Sequence, residues 1–334
     1  MDILKTKKPG KLPWLLAKMN RPIIVITGPT AVGKTDVATA LAERVAGEIV
    51  SADSMQVYSG MDIGTAKPTL AQRQQVPFHL IDIVPPDYPF SVAEWKERAL
   101  AAIADITARH KQVILCGGTG MYLRALLEDW NLAATPRDPQ LREQLHRYAE
   151  QYGRTSLHSQ LEKVDPETAQ RLHPNDLVRV VRALEVYHIT GRPLSEWQRA
   201  NKAEARPLQA RQFALTMPRS LLYQRIEQRV ETMLASGWED EVRQLLAQGY
   251  SPNLTSMQSL GYHELVCYIM GKITREHAVE LIKQNTRRFA KRQLTWFRAV
   301  PYLEWLSVEN KEPEEVAKAI IERLSELDTM CAVC

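Results

Sequence analysis

The chain has 334 residues, 45% hydrophobic and 25% charged, a composition ordinary for a globular protein with room for two domains. No run of eighteen apolar residues occurs, which excludes a membrane-spanning helix, and the stretch 12–17 is too short and interrupted for a secretory leader. A cytoplasmic protein off the membrane, with its four cysteines (Cys116, Cys267, Cys331, Cys334) reduced, is therefore expected, while a net charge of +4 by itself names no partner.

In chain order, Lys5, Lys7, Lys8, Lys11 and Lys18 among prolines and a glycine predict a mobile basic arm over residues 1–21. The β-branched run Ile23-Ile24-Val25-Ile26-Thr27 predicts a buried parallel strand, and Val37, Ala38, Leu41, Ala42 and Val45 recur at helical spacing over 34–46. Between them, Gly28-Pro29-Thr30-Ala31-Val32-Gly33-Lys34-Thr35 fits the phosphate-loop pattern G-x-x-x-x-G-K-[ST] residue for residue, in the strand-to-helix context that pattern needs. Unpaired backbone N–H groups and the positive end of the helix dipole would hold the anion there. Lys34 adds a charge, and the Thr35 hydroxyl is placed to ligate Mg²⁺.

Further strands are predicted at 48–51, 79–83 and 112–116, with helices near 91–109 and 119–128; the alternation implies an α/β fold with a parallel sheet and right-handed crossovers. From 136 to 206 strand signals stop, and Pro139, Pro166, Pro174 and Pro193 punctuate a charged helical insertion. A strand resumes at 212–217 and helices follow. The core is thus expected to be discontinuous, 22–135 with 207–327, ending in a solvated tail at 328–334 that carries Cys331 and Cys334.

Asp53 follows the second strand, on the sheet edge where ligands of doubly wound folds bind. A carboxylate there serves as general base, hydrogen-bond acceptor or Mg²⁺ partner, or else as a turn residue. Ser54, Gln56 and Thr65 are uncharged groups suited to reading a base edge. Gly117-Gly118-Thr119-Gly120-Met121-Tyr122 reads as a second anion-facing turn or as a purely structural one. Arg225 lies on a helix after the insertion and has the planar fork of a diphosphate clamp, or that of a surface arginine. Eight basic residues fall between Lys272 and Arg298 against Glu276 and Glu280, and Lys283, Arg287 and Lys291 share one helix face. That stripe either tracks a phosphate backbone or is a solvated face; Arg171, Arg179 and Arg182 in the insertion form a second basic group.

These elements, together with Asp53-Ser54-Met55-Gln56-Val57-Tyr58, Gly64-Thr65-Ala66-Lys67-Pro68, His79-Leu80-Ile81-Asp82, Arg182-Ala183-Leu184-Glu185-Val186 and Gln258-Ser259-Leu260-Gly261-Tyr262, resemble the bacterial tRNA dimethylallyltransferases of the tRNA isopentenyltransferase family over roughly residues 22–300. The resemblance implies a P-loop NTPase-like core with a helical insertion that grips the anticodon arm, and dimethylallyl diphosphate as donor, its diphosphate held by the phosphate loop with Mg²⁺. It also implies transfer to the N6 amine of the adenosine 3′-adjacent to the anticodon, with Asp53 as base, Thr119 placing the substrate and Arg225 stabilising the leaving diphosphate. Contacts to tRNA are implied for Asp53, Ser54, Met55, Gln56, Thr119, Arg142, Val178, Arg179, Val180, Val181 and Arg182, and by charge for Lys283, Arg287 and Lys291. The chain departs from the family in Phe78, where a second histidine is expected, in the basic arm, and in lacking the zinc-finger-like tail of eukaryotic relatives. Three other readings share parts of this pattern: an adenylate isopentenyltransferase acting on free nucleotide, a P-loop kinase of a small metabolite, and a nucleic-acid-binding module without chemistry.

Overall fold

The computed structural model describes residues 21–130, 138–204 and 207–331, with side chains of 201–204 and 327–331 outside that description; the basic arm before Arg21 and the Cys331 and Cys334 side chains lie outside it too. The chain divides into two compact units, Met1–Leu127 with Leu208–Cys334, and Glu128–Pro207.

The first unit opens with β1 (Ile23–Thr27), α1 (Lys34–Val45), β2 (Gly47–Ser51), α2 (Leu70–Gln75), β3 (Phe78–His79), α3 (Val92–Ala108), β4 (Gln112–Cys116) and α4 (Gly120–Leu127). β1, β2 and β4 are buried along their whole length, as strands covered on both faces must be. The strand expected at 79–83 ends instead at His79, because Leu80 and Asp82 take positive φ (63° and 56°), which extended backbone does not allow.

The second unit is all helical: α5 (Pro139–Tyr152), α6 (Arg154–Val164), α7 (Pro166–Arg171), α8 (Leu177–Thr190) and α9 (Leu194–Glu204). Two of its prolines start helices rather than break them. Pro139 and Pro166 stand in the first turn, and the preceding Asp138 and Asp165 side chains accept the free amides of Leu141 and Thr168, each at 3.0 Å.

The first unit then resumes with β5 (Ala210–Thr216), α10 (Arg219–Ala235), α11 (Trp238–Ala247), α12 (Tyr262–Ile269), α13 (Arg275–Arg298), β6 (Glu304–Ser307) and α14 (Pro313–Cys331). All six strands are parallel, in the order β3-β2-β4-β1-β5-β6. Alternate residues of β1 feed opposite faces. Ile23 and Val25 pack with Trp95 of α3 and Leu126 of α4, while Ile24 and Ile26 pack with Leu41 of α1 and Ile320 of α14. α10 and α13 supply residues to both cores: Ile226 and Ala290 to one, Val230, Ile282 and Phe297 to the other. These two helices therefore lie where the two faces meet, within reach of the loops that leave β1, β2 and β4.

Candidate active site

The phosphate loop leaves β1 with Gly28 at φ +137°, where a Cβ would sit 2.6 Å from the Leu215 carbonyl oxygen of β5, so only glycine fits. Gly33 (φ +95°) caps α1 and turns the first amides of that helix toward the crevice. The Lys34 ammonium folds back onto the Pro29 carbonyl at 2.7 Å. Its burial lowers the pKa to about 8; Arg229 pushes the same way, while Cys116 and Asp53 oppose. Lys34, Thr35, Asp53 and Gln56 line one small cavity, whose apolar wall is Ile49, Phe78 and Cys116. The departure at Phe78 thus falls on a cavity wall. Burial pushes the Cys116 thiol up to about 12, so it stays protonated and inert beside Lys34.

Asp53 stands just past β2. Its Oδ1 accepts the Met55 amide at 2.9 Å, which leaves the other carboxylate oxygen without a protein hydrogen bond among the described residues. The neighbouring β4-to-α4 turn holds the next residue: the Thr119 hydroxyl oxygen accepts the Ser54 amide at 3.0 Å, and the Thr119 amide donates to the Ala52 carbonyl at 3.1 Å. Gln56 is fixed as well. Its Oε1 accepts from the Ser51 hydroxyl at 2.9 Å, and its Nε2 donates to the Thr65 and Ala66 carbonyls at 3.3 and 3.2 Å. The 62–66 loop that presents those carbonyls is anchored by Glu241 of α11, whose carboxylate accepts the Asp62 and Ile63 amides at 2.8 and 2.7 Å and the Tyr262 hydroxyl at 2.6 Å. Gly64 and Gly261 leave the space that the Trp238 indole fills.

Two arginines of the returning helix α10 stand in different settings. Arg225 is exposed on α10, with no hydrogen bond or ion pair among the described residues, whereas Arg229, one turn on, feels the charges of Asp53 and Asp36. Burial lowers its pKa and those two carboxylates oppose the shift. Of these two arginines, Arg229 is the one whose charge interacts with Lys34 of the phosphate loop and with Asp53. The spacing of four on one helix was the available signal. From α13, the Gln293 side chain accepts the Thr30 amide at 2.8 Å and donates to the Gly118 carbonyl at 3.0 Å, and Trp296 packs onto Gly120.

The basic stripe is largely spoken for. Lys283 pairs with Glu231 at 2.5 Å and Arg287 with Glu227 at 2.6 Å, both across to α10, leaving Lys291 as the exposed member without an ion pair among the described residues. In the helical unit, Val180 and Val181 are 0% and 2% exposed and belong to its core, so they have no surface to offer tRNA. Val178 is 75% exposed, and Arg179 is exposed beside Asp176 at 3.2 Å. Arg142 makes a two-pronged pair with the buried Glu185 at 2.8 Å on both arms, and Arg182 bonds the same carboxylate. Burial pushes Glu185 up, but the Arg142 bond, the Asp138 amide and Arg182 outweigh it and hold the carboxyl below its ordinary range. Arg142 and Arg182 thus serve a buried acid within their own unit.

A phosphate loop, a carboxylate at the end of β2 one strand beyond β4, and a second strand-to-helix turn on one edge of a parallel sheet define a P-loop α/β protein with an anion-binding loop beside a carboxylate. A family model described as IPP transferase matches residues 56–300. A curated tRNA dimethylallyltransferase from Symbiobacterium thermophilum is 51% identical over 310 residues, covering 91% of this chain and 97% of that protein. Among solved structures, the full-length tRNA isopentenylpyrophosphate transferase of Bacillus halodurans is 39% identical with a TM-score of 0.67, covering 93% and 99% of the two chains. A eukaryotic dimethylallyltransferase captured acting on tRNA is 29% identical with a TM-score of 0.73, over 86% of this chain and 74% of that one. The chain belongs to the IPP transferase family.

Proposed function

We propose that this protein is a tRNA dimethylallyltransferase: it moves the dimethylallyl group of dimethylallyl diphosphate to the N6 amine of the adenosine 3′-adjacent to the anticodon and releases diphosphate. The observation that carries this reading is the meeting of the phosphate loop and Asp53 in one cavity, within a chain of this family. The adenine amine attacks the allylic carbon, the carbon–oxygen bond to diphosphate breaks with its electron pair on oxygen, and the N6 proton passes to the free oxygen of Asp53. Loop amides, Lys34 and Arg229 receive the charge that gathers on the leaving diphosphate. Ser54, Gln56 and Thr119 present fixed hydrogen-bonding groups beside the base, which a loop nucleotide reaches at low unstacking cost.

Magnesium fits the residues present, because it takes few protein ligands beside diphosphate oxygens, and Thr35 lines the same cavity as Lys34 and Asp53. Bound through the Thr35 hydroxyl and the diphosphate, it would neutralise part of the leaving group's charge. In the helical unit, tRNA contacts are proposed for the exposed Val178 and Arg179. A tRNA substrate places the enzyme in the cytoplasm. No helix of the described residues is long and apolar enough to cross a membrane.

The test is transfer of labelled dimethylallyl from its diphosphate, with Mg²⁺, to unmodified tRNA, with AMP as a second acceptor and ATP as competitor. Label in tRNA and not in AMP is expected. Label in AMP alone would make the protein a free-nucleotide prenyltransferase, and ATP consumption without transfer would make it a kinase. Asp53→Asn keeps the acceptor for the Met55 amide but not the base, so the transfer rate should fall on the order of a hundredfold or more with tRNA affinity unchanged; a wild-type rate removes Asp53 as base.

A further inference from the structure

Gln293 is 7% exposed and lies on α13, far in sequence from the residues it joins. Its carboxamide makes two bonds of opposite sense: the oxygen accepts the Thr30 amide of the phosphate loop, and the nitrogen donates to the Gly118 carbonyl of the turn that carries Thr119. No other uncharged side chain of this length offers both an acceptor and a donor on one rigid plane, so the partners themselves fix which end is oxygen. The turn is shaped for this contact. A Cβ on Gly118 would collide with the Gln293 nitrogen, and one on Gly120 with the Trp296 indole, a helical step of three further along the same face. Gly118 and Gly120 therefore admit α13 rather than an anion.

The two ends of Gln293 are the two halves of the proposed chemistry. Thr30 belongs to the loop that holds diphosphate; Thr119 holds Ser54 next to the base Asp53. We propose that Gln293 is a positioning residue, a strut that fixes the separation between the phosphate loop and the Thr119 turn, and with it the alignment of leaving diphosphate and attacking amine. It also means that the Thr30 amide is committed to Gln293 and is not a diphosphate donor. The inference rests on the prenyl-transfer reading. A misplacement of about 1 Å by a residue outside the chemistry can cost a hundredfold in rate.

Gln293→Ala and Gln293→Glu are compared with wild type for transfer kinetics, tRNA affinity, binding of inorganic pyrophosphate by calorimetry, and folding by circular dichroism. Gln293→Ala should fold, lose about tenfold or more in kcat, weaken pyrophosphate binding by about fivefold, and leave the tRNA Kd unchanged. Gln293→Glu keeps the acceptor and loses the donor until its carboxyl is protonated, so its rate relative to wild type should rise as pH falls. Gly118→Ala is an independent route, because it pushes the carboxamide aside. It should be costly in the wild type and nearly silent in the Gln293→Ala background. A kcat within about twofold of wild type for folded Gln293→Ala, a pH-independent Gln293→Glu ratio, or additive Gly118 and Gln293 effects would each overturn the strut. If wild type transfers nothing to tRNA, the prenyl-transfer reading fails instead. Gln293 is then judged on pyrophosphate alone, where equal affinity of Gln293→Ala and wild type overturns it.

Discussion

The Thr119 hydroxyl oxygen accepts the Ser54 amide at 3.0 Å, so the residue next to the candidate base is held by the neighbouring strand's turn rather than by its own loop. Valine has the same shape as threonine without the acceptor. Thr119→Val should cut the transfer rate by about 10–100-fold, whereas Thr119→Ser, which keeps the oxygen, should stay within about threefold of wild type. Equal rates for the two variants would remove the hydroxyl acceptor from this account, and a Thr119→Ser slower than Thr119→Val would show that the methyl matters instead.

Arg225 and Arg229 separate cleanly by substitution. Arg229→Gln removes the guanidinium that feels the Asp53 charge and should lower the transfer rate by about 10–100-fold, through the lost stabilisation of diphosphate charge. Arg225→Gln, at an exposed position, should leave the rate unchanged. Steady-state kinetics with saturating tRNA decides, and the reverse pattern would return the clamp to Arg225.

Lys34 links donor binding to pH. Its folded pKa is about 8, below the ordinary lysine value of 10.5, because burial disfavours the ammonium. The unfolded chain binds the proton more readily between those two values, so this group's destabilising effect is full below about pH 8 and fades as pH rises toward 10.5. A bound diphosphate reverses the balance by favouring the charged form. Affinity for dimethylallyl diphosphate should therefore fall as pH rises through about 8. Calorimetry at that pH in buffers of different ionisation enthalpy should register uptake of about half a proton per site. No uptake would mean that Lys34 is already fully charged in the free enzyme.

The basic stripe on α13 should split by function. Lys291→Ala should weaken tRNA binding and reduce the slope of log affinity against log salt by about one unit or less. Lys283→Ala and Arg287→Ala break pairs with Glu231 and Glu227 and should lower the melting temperature while leaving that slope in place. A slope unmoved by Lys291→Ala would make it a solvated lysine.

What was legible in the sequence was what is local. The run 23–27, the loop Gly28–Thr35 and Asp53 after β2 carry their geometry in adjacent residues, and Lys34, Thr35 and Asp53 line one cavity. The residues that hold this site in register were not legible. Gln293, Glu241 and Arg229 look like ordinary polar positions of amphipathic helices, and their roles exist only once α10, α11 and α13 pack against the crevice. Burial was equally out of reach of the sequence: Arg142 and Arg182 read as basic surface, and only the folded helical unit shows that both also pair with the buried Glu185. β6, with only four residues, carries too little alternation to announce itself and is specified by its register with β5.

The discontinuity of the first unit has a temporal side. Gly28, Asp53 and Thr119 all precede the helical unit, while the groups that clasp them, Arg229, Glu241 and Gln293, follow it, and β5 must be added beside β1 before the sheet is whole. At ribosomal speeds of about 5–20 residues per second, the interval between Thr119 and Gln293 lasts roughly ten to thirty seconds. Through that interval the nascent chain carries the reactive residues without the helices that align them, so the capacity to act on a nucleic acid arrives with the last third of translation.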